Sequence, residues 1–216
     1  LALAIGVAAA HTAFAVDLVI ATVNNGHMVE MQKMTPHFEK ANPDIKLKWV
    51  TLDEGTLRSR VTTDIATKAG QFDVMTIGMY ETPIWGKKGW LKELKTDAAY
   101  DVDDLLPAMR NGLSVDGKLY AAPFYGESSM LMYRKDLTDK AGVTFPERPT
   151  WEQVRDAAAK IHNPPNVYGI CLRGKPGWGD NMAFLSTMAN SFGAQWFDMG
   201  WKPQLESKPW KDAVTF

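Results

Sequence analysis

Glu127 is planted in a stretch that otherwise reads as strand. Residues 117–137 run Gly-Lys-Leu-Tyr-Ala-Ala-Pro-Phe-Tyr-Gly-Glu-Ser-Ser-Met-Leu-Met-Tyr-Arg-Lys-Asp-Leu. The runs 119–125 and 130–133 are rich in apolar and aromatic side chains, as strands are. Between them Gly126, Glu127, Ser128 and Ser129 are small or polar. A strand that crosses between two lobes at a flexible glycine, carrying a carboxylate into a cleft, reads this way. An ordinary surface hairpin reads equally well from these residues. Just upstream, Asp116-Gly117 predicts a type I′ turn, because both residues tolerate positive φ.

Three loops carry side chains suited to hydroxyl-rich ligands: Asn24-Asn25-Gly26-His27, Gly78-Met79-Tyr80-Glu81, and Arg173-Gly174-Lys175-Pro176-Gly177-Trp178-Gly179-Asp180-Asn181. Each follows a predicted strand, and ligands of open parallel sheets bind beyond the carboxyl ends of strands. Any one of these loops alone is explained by a solvated turn; a shared cleft explains them together.

Most enzyme signatures fail. Gly112–Leu119 and Gly169–Pro176 resemble phosphate-binding loops but lack the final Ser or Thr that must reach Mg²⁺. His11, His27, His37 and His162 have no tight metal spacing, with His37 and His162 read as helix-surface residues, and no G-x-S-x-G elbow occurs. Asp101, Asp103 and Asp104 lack the glycine and distal Glu of a calcium loop and read as a solvated helix start. Glycoside hydrolysis is the enzyme class that survives. It needs two carboxylates about 5–10 Å apart, which Glu127 with Asp180 or Glu81 would supply. No cofactor or metal site is expected.

The 216 residues suffice for one large domain or two small ones, and 45% hydrophobic with 11% aromatic content describes a globular chain. A net charge of −1 offers no basic surface for nucleic acid or anionic membrane. Eight tryptophans, several in Gly/Pro-rich segments, suggest exposed platforms for the C–H faces of sugars or polyols. The apolar opening and Ala13-Phe14-Ala15 match a secretory leader, so residues 1–15 are read as a signal-peptide remnant. The single cysteine, Cys171, allows no internal disulfide and reads as a small buried residue; no lipid-anchor cysteine stands at the cleavage site.

The elements that must position these residues alternate. Strands are predicted over 18–23, 45–49, 72–77 and 167–172. Helical stripes run through Met28, Met31, Phe38 and Ala41, interrupted at Pro36; through Leu57, Val61, Ile65 and Ala69, closed by Gly70; through Trp151, Val154, Ala158 and Ile161 behind a Thr150–Gln153 capping box; and through Met182, Leu185, Met188 and Phe192, ending at Gly193. Ser207 is expected to cap a last helix with Pro209 in its first turn. The βαβαβ series predicts an α/β fold with a mainly parallel sheet. Two α/β lobes are expected, over 16–127 and 128–216, the second truncated.

In this order the motifs resemble the extracellular solute-binding proteins of bacterial ABC sugar importers, family 1. The likeness rests on Asn42-Pro43-Asp44-Ile45, Phe72-Asp73-Val74, Gly89-Trp90-Leu91 and residues 117–137. The sorbitol/mannitol branch is suggested by residues 172–181 and by Trp196-Phe197-Asp198 with Trp201-Lys202-Pro203. The resemblance implies a type II periplasmic binding protein, with two α/β lobes joined by crossing hinge strands, of which this chain is an N-terminal fragment. It implies a soluble periplasmic receptor, not an enzyme, that closes over a polyol or sugar and delivers it to an ABC permease of the inner membrane, as a monomer. The implied ligand-binding residues are Asn24, Asn25, Tyr80, Glu81, Glu127, Arg173 and Trp178, joined by Asp180. Trp178 would stack on the ligand's carbon chain, with Glu127, Arg173 and the Asn pair bonding hydroxyls. The rival is a secreted glycoside hydrolase with paired carboxylates; a structural or adhesive exported domain is a third reading.

Overall fold

The computed structural model describes residues 15–216; the expected leader, apart from Ala15, lies outside the described residues. Contacts divide the chain into two compact units, one ending at Gly126 and one spanning Glu127–Phe216.

The first unit carries β1 (Val16–Val23), α1 (Gly26–Lys33), α2 (Thr35–Ala41), β2 (Ile45–Leu52), α3 (Glu54–Thr67) and β3 (Val74–Met75). Its sheet is parallel in the order β2-β1-β3. β1 pairs β2 from Val16–Ile45 to Val23–Leu52, while Ile20 and Ala21 face Val74 and Met75. Local signals start the helices. Asn25 and Asp53 cap α1 and α3 through their side chains, and Pro36 falls in the first turn of α2, as the predicted interruption requires. Leu57 and Val61 of α3 are buried with Ala21, Phe72 and Trp85, and Ile65 packs on the same core. The stripe stops short of Ala69. Lys68 takes the left-handed cap conformation at φ 56°, two residues before the predicted Gly70, and Ala69 is exposed.

β3 is shorter than predicted because Asp73 substitutes for ladder geometry. Its N–H donates to the Val19 carbonyl, while its carboxylate accepts from Val19 N at 2.8 Å. Buried Asp64 accepts from Gln71 N and Phe72 N, fastening the end of α3 to the chain that enters β3.

Glu39 joins α2 to β2, accepting from Lys46 Nζ at 2.8 Å and Leu47 N at 3.0 Å. The Lys46 hydrogen bond, seconded by that backbone N–H, holds its carboxyl below the ordinary glutamate range. A depressed folded-state pKa contributes stability above the unfolded pKa that is lost as pH falls through the folded one. Glu39→Gln should therefore lower the melting temperature at neutral pH, and the gap to wild type should close in acid. A gap independent of pH would exclude this linkage.

After α4 (Glu81–Lys87) and α5 (Pro107–Gly112) comes a hairpin of β4 (Ser114–Val115) and β5 (Lys118–Leu119). Asp116 and Gly117 have φ 50° and 76°, as the type I′ turn demands. Gly86 of α4 lets this hairpin approach: a β-carbon there would stand 2.9 Å from Val115 Cγ2 and 3.3 Å from the Tyr120 ring. Gly86→Ala should destabilise the protein by about 1–2 kcal/mol through overpacking, despite alanine's better helix propensity. A rise in denaturation midpoint would show that the hairpin yields.

The aromatic runs 119–125 and 130–133 do not form the predicted strands. Beyond Leu119 no ladder runs through 120–134 among the described residues, and Met130 and Met132 are exposed. Side-chain pattern favours a strand, but the strand itself exists only where a second backbone pairs with it.

The second unit holds α6 (Lys135–Lys140), α7 (Trp151–Ile161), α8 (Asn181–Ser191) and α9 (Lys208–Thr215). The Thr150–Gln153 capping box forms reciprocally. α8 passes through Phe192 to Gly193 at φ 79°. Ser207 precedes α9, with Pro209 in its first turn, but its side chain makes no cap bond. Ala189, Ala194, Trp210 and Ala213 form the buried cluster. Residues 168–172 are not a strand; of the predicted run Val167 alone pairs, bridging to Asn163. Cys171, expected to be buried in that strand, is exposed. The reason is again the missing ladder, without which an apolar run has no layer to enter.

Candidate functional site

Because β1 lies between β2 and β3, the crossover through α1 and α2 leaves β1 to one side and α3 crosses back to the other. The loops after β1 and β3 therefore diverge from neighbouring strand ends, the arrangement that opens a ligand crevice in α/β sheets. Asn24, Asn25 and Tyr80 lie on these two loops, and Glu81 opens α4 at the end of the second.

Their roles differ. Asn24 N donates to Leu52 O, continuing the ladder. Asn25 Oδ1 accepts from Met28 N at 2.9 Å while its Nδ2 donates to Tyr125 Oη at 3.1 Å. Tyr80 is exposed. Glu81 is only 8% exposed. Its Oε1 accepts from Arg58 Nη1 at 2.7 Å and its Oε2 from Gly78 N at 2.9 Å, while Arg58 also binds Glu54. Glu81 is thus committed to bracing its own loop, like the returning half of a capping box. Each oxygen accepts one bond already, with acceptor capacity left on both. Thr82 completes the brace, donating from both N and Oγ1 to Gly78 O.

Contacts within this unit gather a rim around the loops. A β-carbon on Gly112 of α5 would overlap the Met79 side chain, and one on Gly126 would meet Met109 Sδ at 3.5 Å. Tyr125 stacks on His27 with ring centroids 5.3 Å apart. Tyr125 and Arg58 escaped the sequence reading, and His27 was read as part of the first candidate loop without a partner. Asn25 and Tyr125 are 100 positions apart, so no local pattern connects them.

In the second unit, Arg173, Trp178 and Asp180 share the loop that enters α8. Arg173 Nη1 donates to Gly179 O at 2.7 Å, and Gly177 N donates to Asn181 Oδ1 at 3.2 Å. Lys175 Nζ lies 3.7 Å from Asp180 Oδ2. These bonds shape the turn that presents Trp178, 61% exposed. Arg173 retains further guanidinium donors for an acceptor. Glu127 is exposed. An apolar groove of about 700 Å³ between α7, α8 and α9, with Trp151, Val154, Leu185 and Met188 in its lining, contains none of these residues. Its lining is wrong for a ligand covered in hydroxyls.

Among the described residues no group of His, Cys, Asp or Glu could hold a metal ion, and no helix is long and apolar enough to cross a membrane. The model of the bacterial extracellular solute-binding protein family matches residues 25–216. The chain belongs to this family. This solute-binding protein is 56% identical to a mannitol-binding protein of Pseudomonas aeruginosa, over 92% of its own length and 46% of the relative's. A solute-binding protein of Agrobacterium vitis, solved with bound D-mannitol, superposes with a TM-score of 0.89 at 62% identity, over 92% of this chain and 49% of that one. Another from Agrobacterium radiobacter, in complex with ribitol, gives a TM-score of 0.82 at 28% identity, over 94% and 51%. The chain thus spans about half the length of the relatives it matches. All three are binding proteins, and the α/β architecture is common to the solved ones.

Proposed function

We propose that this chain is part of a periplasmic polyol receptor serving an ABC permease, with an acyclic polyol such as mannitol as ligand. The observation that carries the reading is the 62% identity, over nearly the whole chain, to a protein holding D-mannitol. The chemistry agrees: amide, guanidinium and phenol groups with one exposed indole suit hydroxyls and C–H faces, and buried polar sites discriminate because a wrong ligand leaves groups unpaired. Asn25, Tyr80, Glu127, Arg173, Trp178 and Asp180 are assigned to ligand contact, with Asn24 beside them and Glu81 as the brace of its loop. Lobes corresponding to 16–127 and 128–216 would close on the ligand, which can shift that equilibrium only by binding the closed state more tightly. Export through the leader, an inner-membrane permease and a monomeric receptor complete the proposal.

Calorimetric titration of the protein expressed from its complete gene, with mannitol, sorbitol, ribitol, glucose and maltose, tests it. Saturable one-to-one binding of a polyol without product supports the reading; no heat from any polyol defeats it. Turnover of a glycoside, abolished by Glu127→Gln, would establish the hydrolase instead.

A further inference from the structure

We propose that Tyr125 is a ligand-contacting, specificity-determining residue whose hydroxyl is oriented as a hydrogen-bond donor by Asn25. The inference rests on the polyol reading. Its starting point is a direction that the geometry leaves no choice about. Met28 N can only donate, and it donates to Asn25 Oδ1 at 2.9 Å. The other end of the amide is therefore Nδ2, a donor, and it reaches Tyr125 Oη at 3.1 Å. The phenol oxygen accepts that bond, so its own proton points elsewhere. Tyr125 is 41% exposed, at the carboxyl end of β1 beside the loop that holds Asn25. His27, stacked on the ring with an interplanar angle of 27°, restrains its tilt. The result is a relay in which a helix N-terminus sets an amide, the amide sets a phenol, and the phenol presents one O–H to an acceptor. A hydroxyl of an acyclic polyol is such an acceptor.

The test is titration of the protein from its complete gene with D-mannitol and with its deoxy analogues, each lacking one hydroxyl. Tyr125→Phe should weaken mannitol binding about 5- to 20-fold with the fold intact. For the one analogue lacking the partner hydroxyl, the same substitution should change little. Asn25→Asp supplies the second arm. Aspartate caps the helix as well as asparagine but can only accept from the phenol, so it turns the Tyr125 proton away from the ligand. It should cost at least a similar factor, and the double variant should lose little more than Asn25→Asp alone. Mannitol binding by wild type with an unchanged Tyr125→Phe, or an equal loss across all analogues, overturns the inference alone. Failure of wild type to bind any polyol overturns the functional reading, and the inference with it.

Discussion

Arg58→Met should destabilise the protein by about 3 kcal/mol, since removing one partner of a largely buried ion pair leaves the other charge uncompensated. Glu81 would keep Gly78 N but lose the guanidinium 2.7 Å away, and Glu54 would lose a 2.8 Å contact as well. Arg58 is a quarter exposed at its side chain, which places the cost at the lower end of the range for such truncations. The loop bearing Tyr80 should loosen with it, so on the proposed function polyol affinity should fall alongside the denaturation midpoint. Arg58→Met/Glu81→Gln separates the causes: with both charges gone and an amide oxygen kept for Gly78 N, part of the stability should return. A single variant as stable as wild type would show that the pair is ornamental and that Gly78 and Thr82 hold the loop unaided.

On the proposed function, Trp178→Ala should weaken polyol binding by about 2–3 kcal/mol, the combined worth of burying most of an indole and of its face on a C–H surface. The ring is presented by a loop already ordered through Arg173, Gly177 and Asn181, so little of that energy is spent on ordering at binding. Trp178→Phe should restore part of the loss. Stability in the absence of ligand should barely move, because the ring is mostly open to solvent. Unchanged affinity would remove Trp178 from the site and turn attention to Trp201, 80% exposed on a turn organised by Asp198.

What could be read in advance shares one property: its physics is local. The Asp116-Gly117 turn, the Thr150–Gln153 capping box and the Leu57–Val61 stripe each depend on residues within about four positions, so residue type and spacing determine them. The order of strands and helices followed from the same periodicities, and with it the parallel sheet and the strand-end loops that carry the candidate site. The fate of each polar group was decided only in three dimensions. Glu81 finds its ion-pair partner in Arg58, 23 positions away. Asp64 gave no signal in the chain and Asp73 only a place in a family motif, yet one ties the end of α3 to the strand that follows and the other binds β1. Tyr125 gains its role from Asn25, 100 positions distant. The misread strands at 119–133 and 167–172 have the same origin. A helix closes its hydrogen bonds within itself, so its sequence contains its partners. A strand must find its partner elsewhere in the fold, and no pattern within the segment says whether it does.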